Sequence, residues 1–135
     1  MEFKHTHQKN ADNLRLVNSV TLIDPDDDIY SLITIPQWGF VMDVWLHKLL
    51  AATGAGALVS VGFTGNSETA DPDAFIDTIL GEATILGVVR AVNDGQPGSK
   101  GKWFNDAGGS ITLTCDDNGG TGGTFMVSVL YTVIH

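Results

Sequence analysis

Apolar and polar positions alternate along most of this chain, and that period predicts strands rather than helices. Ile29, Ser31, Ile33 and Ile35 share one face of a run that Pro36 ends, because proline cannot donate to a ladder. Gln37, Trp38 and Gly39 make a turn. In the next run Phe40, Met42, Val44 and Leu46 form one face, and Val41, Asp43, Trp45 and His47 form the other. After the small-residue connector AATGAG, a third run places Val59, Val61 and Phe63 on one side, and Gly65-Asn66 closes it.

The run that begins at Phe40 is where two periods compete. Val41, Val44, Trp45, Lys48 and Leu49 also fit a helical stripe, and LHKLLAA contains good helix formers. Pro36 and Gly39 bracket its start as a hairpin would, so the pattern assigns strand up to about Lys48.

Elsewhere the pattern is absent at the start and cleanest in the last strand. Residues 1–13 have no period and one large apolar side chain besides the initiator, Phe3, so they read as an extended arm. From Leu14, LRLVNSVTLI sets Leu14, Leu16, Asn18, Val20 and Leu22 on one face. Asp24-Pro25-Asp26-Asp27-Asp28 is a turn. SETADPDAFIDTIL breaks the strand rhythm: Pro72 between two aspartates suggests a turn or a helix start, with one helical turn over 74–78. ATILGVVRAV (83–92), SITLTC (110–115) and TFMVSVLYTVI (124–134) are further strands, separated by the loops NDGQPGSKG and DDNGGTGG. In the last strand Phe125, Val127, Val129, Tyr131 and Val133 alternate with a half-polar face that carries Met126 and Leu130. Seven or eight short strands with Gly, Asn, Asp and Pro turns predict an all-β antiparallel sandwich with at most one short helix. The expected division is an arm over residues 1–13 and a single sandwich domain over 14–135.

Composition narrows the partners. The 135 residues are enough to bury roughly two-thirds of the unfolded surface, and 43% hydrophobic content is globular. No apolar run approaches the roughly 20 residues of a membrane-spanning helix, and the polar start MEFKHTHQKN does not read as a signal peptide. Sixteen acidic residues against seven basic ones give a net charge of −9, which argues against nucleic-acid binding. Lys4, Lys9 and Arg15 lie in the first fifteen residues, so a mildly basic arm joins an acidic body. Cys115 is alone and alternates with Ile111 and Leu113, the pattern of a buried thiol.

Chemistry-bearing groups are scattered. His5 and His7 are in the arm, His47 is on a strand and His135 is last, so no Ser–His–Asp grouping emerges, and Gly-x-Ser-x-Gly is absent. Asp24, Asp26 and Asp28 alternate and offer hard oxygens to Ca²⁺, but the EF-hand pattern fails, and turn chemistry is the preferred reading. His5 and His7 share a side of the arm, where a transition metal would bind loosely; a polar arm is preferred. Gly119-Gly120-Thr121-Gly122-Gly123 lacks the Lys-Ser/Thr and helix of a phosphate loop and is a turn. Trp38, Trp45 and Trp103 suggest a sugar-stacking platform, but the preferred reading is that the face carrying Trp45, with Asp43 and His47 beside it, packs against another subunit or element. No cofactor or metal site is assigned, and no catalytic residue.

The segments ITIP, GFVMDVWL, ATGAGALVSVGFTGN, DPDAFID and TFMVSVLYTVI, taken in order, resemble the capsid cement (head decoration) proteins of tailed bacteriophages over about residues 14–134. That resemblance implies a jelly-roll-like sandwich and a homotrimer bound to the major capsid protein on the outer surface of the head. It also implies assembly in the host cytoplasm, no enzymatic activity, and no nucleic-acid or membrane partner. Phe3, Lys4, His5, His7, Lys9 and Arg15 would be the capsid-contacting arm, and Trp45, His47, Met126 and Leu130 the subunit interface. The alternative is a phage tail or receptor-binding jelly roll that recognises carbohydrate.

Overall fold

Pro25, Pro36 and the Gly/Asp-rich loops cut the alternating segments into strands short enough to fold back on one another, and the chain does so as a two-layered sandwich. A computed structural model describes residues 15–26, 28–54, 57–65, 67–77, 87–91, 97–105, 107–116, 119–120 and 123–133. The strands are β1 (Arg15–Ile23), β2 (Asp28–Ile35), β3 (Gly39–Leu50), β4 (Leu58–Gly65), β5 (Asp71–Ile76), β6 (Gly87–Arg90), β7 (Lys102–Trp103), β8 (Gly109–Asp116) and β9 (Thr124–Val133). One 3₁₀ turn spans Pro97–Lys100, and there is no α-helix among the described residues.

Both sheets are antiparallel. One has the order β1-β9-β3-β6, with β7 also pairing β3, and the other has the order β2-β8-β4-β5. The pairs β1–β9, β2–β8, β3–β6 and β4–β5 are nested, so the chain resembles one long hairpin doubled back and rolled into two layers. That is jelly-roll connectivity.

The inner faces meet in one core. Val44, Leu46, Phe125, Val127 and Val129 from the first sheet are fully buried, as are Val59, Val61, Ile111 and Leu113 from the second. Phe104 closes one end, its ring edge-on to Phe63 with centroids 5.6 Å apart. Cys115 is buried, as its alternation predicts. The competition over residues 40–50 resolves as strand through Leu50, because inward Val44 and Leu46 each gain about 1.5–3 kcal/mol on burial, more than helix propensity offers.

Three local readings are corrected, two of them by β-bulges. The register between β3 and β9 shifts between Val41 and Asp43, so Met42 is the extra residue. Val41 therefore faces the core opposite Tyr131, and Phe40 turns outward, the reverse of simple alternation. In β2 the shift lies between Ser31 and Ile33. Ile33 and Ile35 are 4% and 1% exposed, while Ile29 is 57% exposed on the opposite face. Asp71–Ile76 is a strand, not the start of a helical turn: Ala74, Phe75 and Ile76 are buried, and Ile76 pairs with Val61. Asp71-Pro72 instead folds over β4 at Gly62, where an added Cβ would lie 2.0 Å from the Asp71 carbonyl oxygen. Only glycine permits that approach.

Candidate interaction surface

Strand alternation sends every second side chain of the five-stranded sheet away from the core, and the register assembles these into rows. Across β1, β9 and β3, Val17 stands beside Leu130 and Asp43. The next row is Ser19, Ser128, Trp45 and, on β6, Arg90. A third row is Thr21, Met126, His47 and Val88. At the other end Thr132 neighbours Phe40, which pairs with Trp103 of β7.

The four side chains expected at a subunit interface, Trp45, His47, Met126 and Leu130, therefore lie together on the outer face of this sheet, each half-buried. Around them Val17, Val88 and Trp103 are exposed. Trp103 stacks on Phe40 at 4.5 Å between centroids with the rings tilted by 32°.

Among the described residues, one ion pair is set into this surface. Arg90 donates through Nε at 3.1 Å, and through a shorter contact from its terminal nitrogen, to Asp43 Oδ2. The same guanidinium lies 5.5 Å from the centre of the Trp45 ring. Asp43 Oδ1 also accepts from the Val44 N–H at 2.9 Å. Charge-assisted bonds and a cation–π contact thus hold Arg90 over Trp45, which presents a largely apolar ring. Ser19 and Ser128 hydroxyls bond each other at 2.7 Å, which leaves little unmet polarity between the apolar rows.

Phe40, Val88 and Arg90 join this surface without having been expected there, and Trp103, grouped with Trp45 from the sequence, lies on it too. The bulge at Met42 hides Phe40 from an alternation rule. Arg90 lies on a four-residue strand whose register against β3 the sequence does not specify. Arg15 opens β1 opposite Thr132. The other arm residues expected to make contacts, Phe3, Lys4, His5, His7 and Lys9, lie outside the described residues, as does residue 14.

The remaining candidates fall elsewhere. The Asp26 N–H donates to the Tyr30 hydroxyl at 2.8 Å, and Asp28 Oδ1 accepts from the Ile29 N–H at 2.8 Å. These are turn-stabilising bonds. No three His, Cys, Asp or Glu side chains come together among the described residues. Asp73 has its carboxyl raised above the ordinary value of 3.8, first through a side-chain hydrogen bond with Asp71, then through desolvation and the neighbouring Asp71 charge. Near it a cavity of about 220 Å³ is lined by Phe63, Asp71, Ala74, Gly98, Gly101 and Lys102. Lys102 bonds Glu68 at 2.6 Å and lies 4.6 Å from the Phe63 ring centre, so its ammonium is already engaged. Trp38 stands apart at the β2–β3 turn, exposed and at φ 59°, its N–H bonded to the Asn105 carbonyl at 3.0 Å.

The two-sheet arrangement is that of a jelly-roll sandwich, and solved structures share it over nearly the whole chain. A chain of the acid-stable capsid of Helicobacter pylori bacteriophage KHP30 aligns with a TM-score of 0.61 and 15% identity, covering 89% of this chain and 88% of that one. A chain of the cyanophage Pam1 capsid aligns at 0.62 and 13% identity, covering 90% and 84%. A chain of the capsid of Ralstonia phage GP4 aligns at 0.58 and 18%, covering 92% and 86%. At these identities the likeness establishes the fold. No protein-family model matches the chain, and no curated protein matches it.

Proposed function

We propose that this protein is a bacteriophage virion structural protein: a capsid cement or decoration protein that binds the outside of the head and stabilises contacts between capsomers. The observation that carries this reading is the fold. Three chains from phage capsid structures share it end to end, with more than four-fifths of each chain covered in both directions. A match over most of both chains supports a role as a capsid component.

The outer face of the five-stranded sheet supports the rest of the proposal. Trp45, Met126, Leu130, Val17 and Val88 give it aromatic and aliphatic contacts around one internally neutralised ion pair, the composition of an interface centre. In this reading that face packs between copies in a homotrimer, and the basic arm over residues 1–13, with Arg15, reaches the major capsid protein. The protein acts without catalysis, cofactor, nucleic acid or membrane, and it assembles onto heads in the host cytoplasm.

The test is quantitative mass spectrometry of the particle that carries the chain, followed by re-addition to particles stripped of it. A cement protein appears at a copy number comparable to that of the shell protein, and re-addition raises the temperature at which heads rupture. Deleting residues 1–13 leaves the free protein's melting temperature nearly unchanged and abolishes that gain. A copy number that is a small fraction of the shell protein's, together with binding to a carbohydrate array, would instead identify a tail receptor-binding protein.

A further inference from the structure

Two sheets have four edges, and three of these are guarded against pairing with another chain. β5 holds Pro72 between Asp71 and Asp73, and its register against β4 is broken. β2 begins at Asp28, bulges between Ser31 and Ile33, and is followed by Pro36. Among the described residues, beyond β3 lie only β6, of four residues, and β7, of two. β1 has none of these devices. It runs nine residues in unbroken register against β9, without proline or glycine and with Arg15 as its only charge. Among the described residues no strand pairs its other edge. Leu16, Val17 and Ile23 are 43%, 63% and 77% exposed along it.

We infer that β1 is a pairing edge whose partner is β1 of a second copy, antiparallel and centred on Ser19. The strand RLVNSVTLI is close to self-complementary about that residue. A two-fold axis there sets Leu16 against Leu22, Val17 against Thr21, Asn18 against Val20, and Ser19 against itself. Leu16, Asn18, Val20 and Leu22 pair with the inward residues Tyr131, Val129, Val127 and Phe125 of β9. The Leu16–Leu22 contacts therefore lengthen each hydrophobic core across the junction, and the exposed Leu16 gains an apolar neighbour. Charge agrees with this register. Arg15 of each copy arrives beside Ile23 of the other, next to its Asp24, while the two arginines sit at opposite ends. The result is one continuous sheet running through both copies. This junction goes beyond the virion role: it joins two copies of the chain whether or not they sit on a capsid.

Cross-linking of the full chain tests the register. Residues opposite each other in an antiparallel pair lie about 4.5–5.5 Å apart at Cα, within disulfide range. Ser19→Cys gives a covalent dimer on mild oxidation. Thr21→Cys does not, because its symmetry mate is displaced four residues, about 13 Å along the strand. Cys115 is buried and serves as the unreactive background. Ser19→Lys and Ser19→Glu each weaken self-association at least tenfold in sedimentation, and an equimolar mixture of the two restores it. Absence of the Ser19→Cys dimer overturns the inference, as does equal cross-linking at Thr21→Cys or self-association that neither charged variant changes. A cross-link that forms only after residues 1–13 are deleted also overturns it, because the chain's own N-terminal segment then occupies the edge.

Discussion

The two sheets present nearly the same inner faces to the shared core and very different outer faces to their surroundings. On the five-stranded sheet, Trp45, Met126, Leu130, Val17, Val88 and Trp103 point outward around the Arg90–Asp43 pair. On the four-stranded sheet the outward rows are Ile29, Thr114 and Ser60, then Ser31, Thr112 and Gly62, then Thr34, Ser110 and Thr64. Apart from Ile29 and the end pair Leu58 and Asp116, that face is small and hydroxylated. Core burial demands Val, Ile, Leu and Phe from both sheets equally, so it cannot explain this difference. What differs is what each outer face is free to touch. A hydroxylated face is satisfied by water and by its own chain, as where the Ser60 hydroxyl donates to the Pro72 carbonyl at 3.0 Å. An aromatic and aliphatic face is best satisfied by protein.

The contrast is broken most directly by charge. Trp45→Glu or Leu130→Glu is expected to weaken self-association by at least about thirtyfold, the scale of losing an interface hot spot near 2 kcal/mol. Thr34→Glu or Ser31→Glu, on the hydroxylated face, should leave it within about twofold in the same sedimentation experiment. Equal effects on the two faces would remove the distinction.

A second substitution asks whether the four-stranded sheet depends on its own overlying strand. Gly62→Ala should lower stability by about 1–3 kcal/mol in urea denaturation, since the new methyl group meets the Asp71 and Pro72 backbone. A neutral result would mean that β5 lifts off its neighbour at little cost. Smaller still is Asp43→Asn, expected to cost about 1 kcal/mol, because the partner Arg90 side chain is about half exposed and its pairing is partly screened. The same variant frees the guanidinium from its place over Trp45, so it should also weaken self-association, which a purely local loss would not do.

The smallest effect is one of pH. The Asp73 carboxyl, held to Asp71 by a hydrogen bond, is raised in the folded protein above its ordinary value of 3.8. Between the ordinary and the raised value the folded state binds more protons than the unfolded state, so this group's contribution to stability falls as pH rises through that window. Asp73→Asn should match the parent below the window and be slightly more stable above it, measured as the difference in urea midpoint between the two proteins. Asp73 is exposed, which keeps the difference small.

Most of the architecture is legible from alternation alone, because period two survives wherever one face is buried. Val59, Val61 and Phe63 on β4, and Phe125 through Tyr131 on β9, sit where that rule puts them. The rule fails where one residue is inserted. Met42 and Leu32 each reverse the faces of the residues before them, and nothing in their side chains marks a bulge. β5 was obscured by Pro72, which is normal on an edge strand and equally normal at a helix start. The outer face was half legible. Trp45, His47, Met126 and Leu130 follow from period two on β3 and β9, but bringing Val17, Val88 and Arg90 beside them requires strand order, which is long-range information.

The nested pairing also imposes a timetable on folding. β1 leaves the ribosome first, and its partner β9 leaves last: Arg15 lies opposite Thr132 and Ile23 opposite Thr124. Until β9 has emerged, therefore, the strand with the least protected edge lacks its partner, and the five-stranded sheet cannot close. Loops this long make closure slow, and for that interval crowded nascent chains expose LRLVNSVTLI to one another. The four-stranded sheet faces a shorter wait, since β4 and β5 are close in sequence and can pair early. Yield of folded protein should therefore depend on how densely ribosomes load the message, a sensitivity that arises from strand order rather than from the stability of the finished molecule.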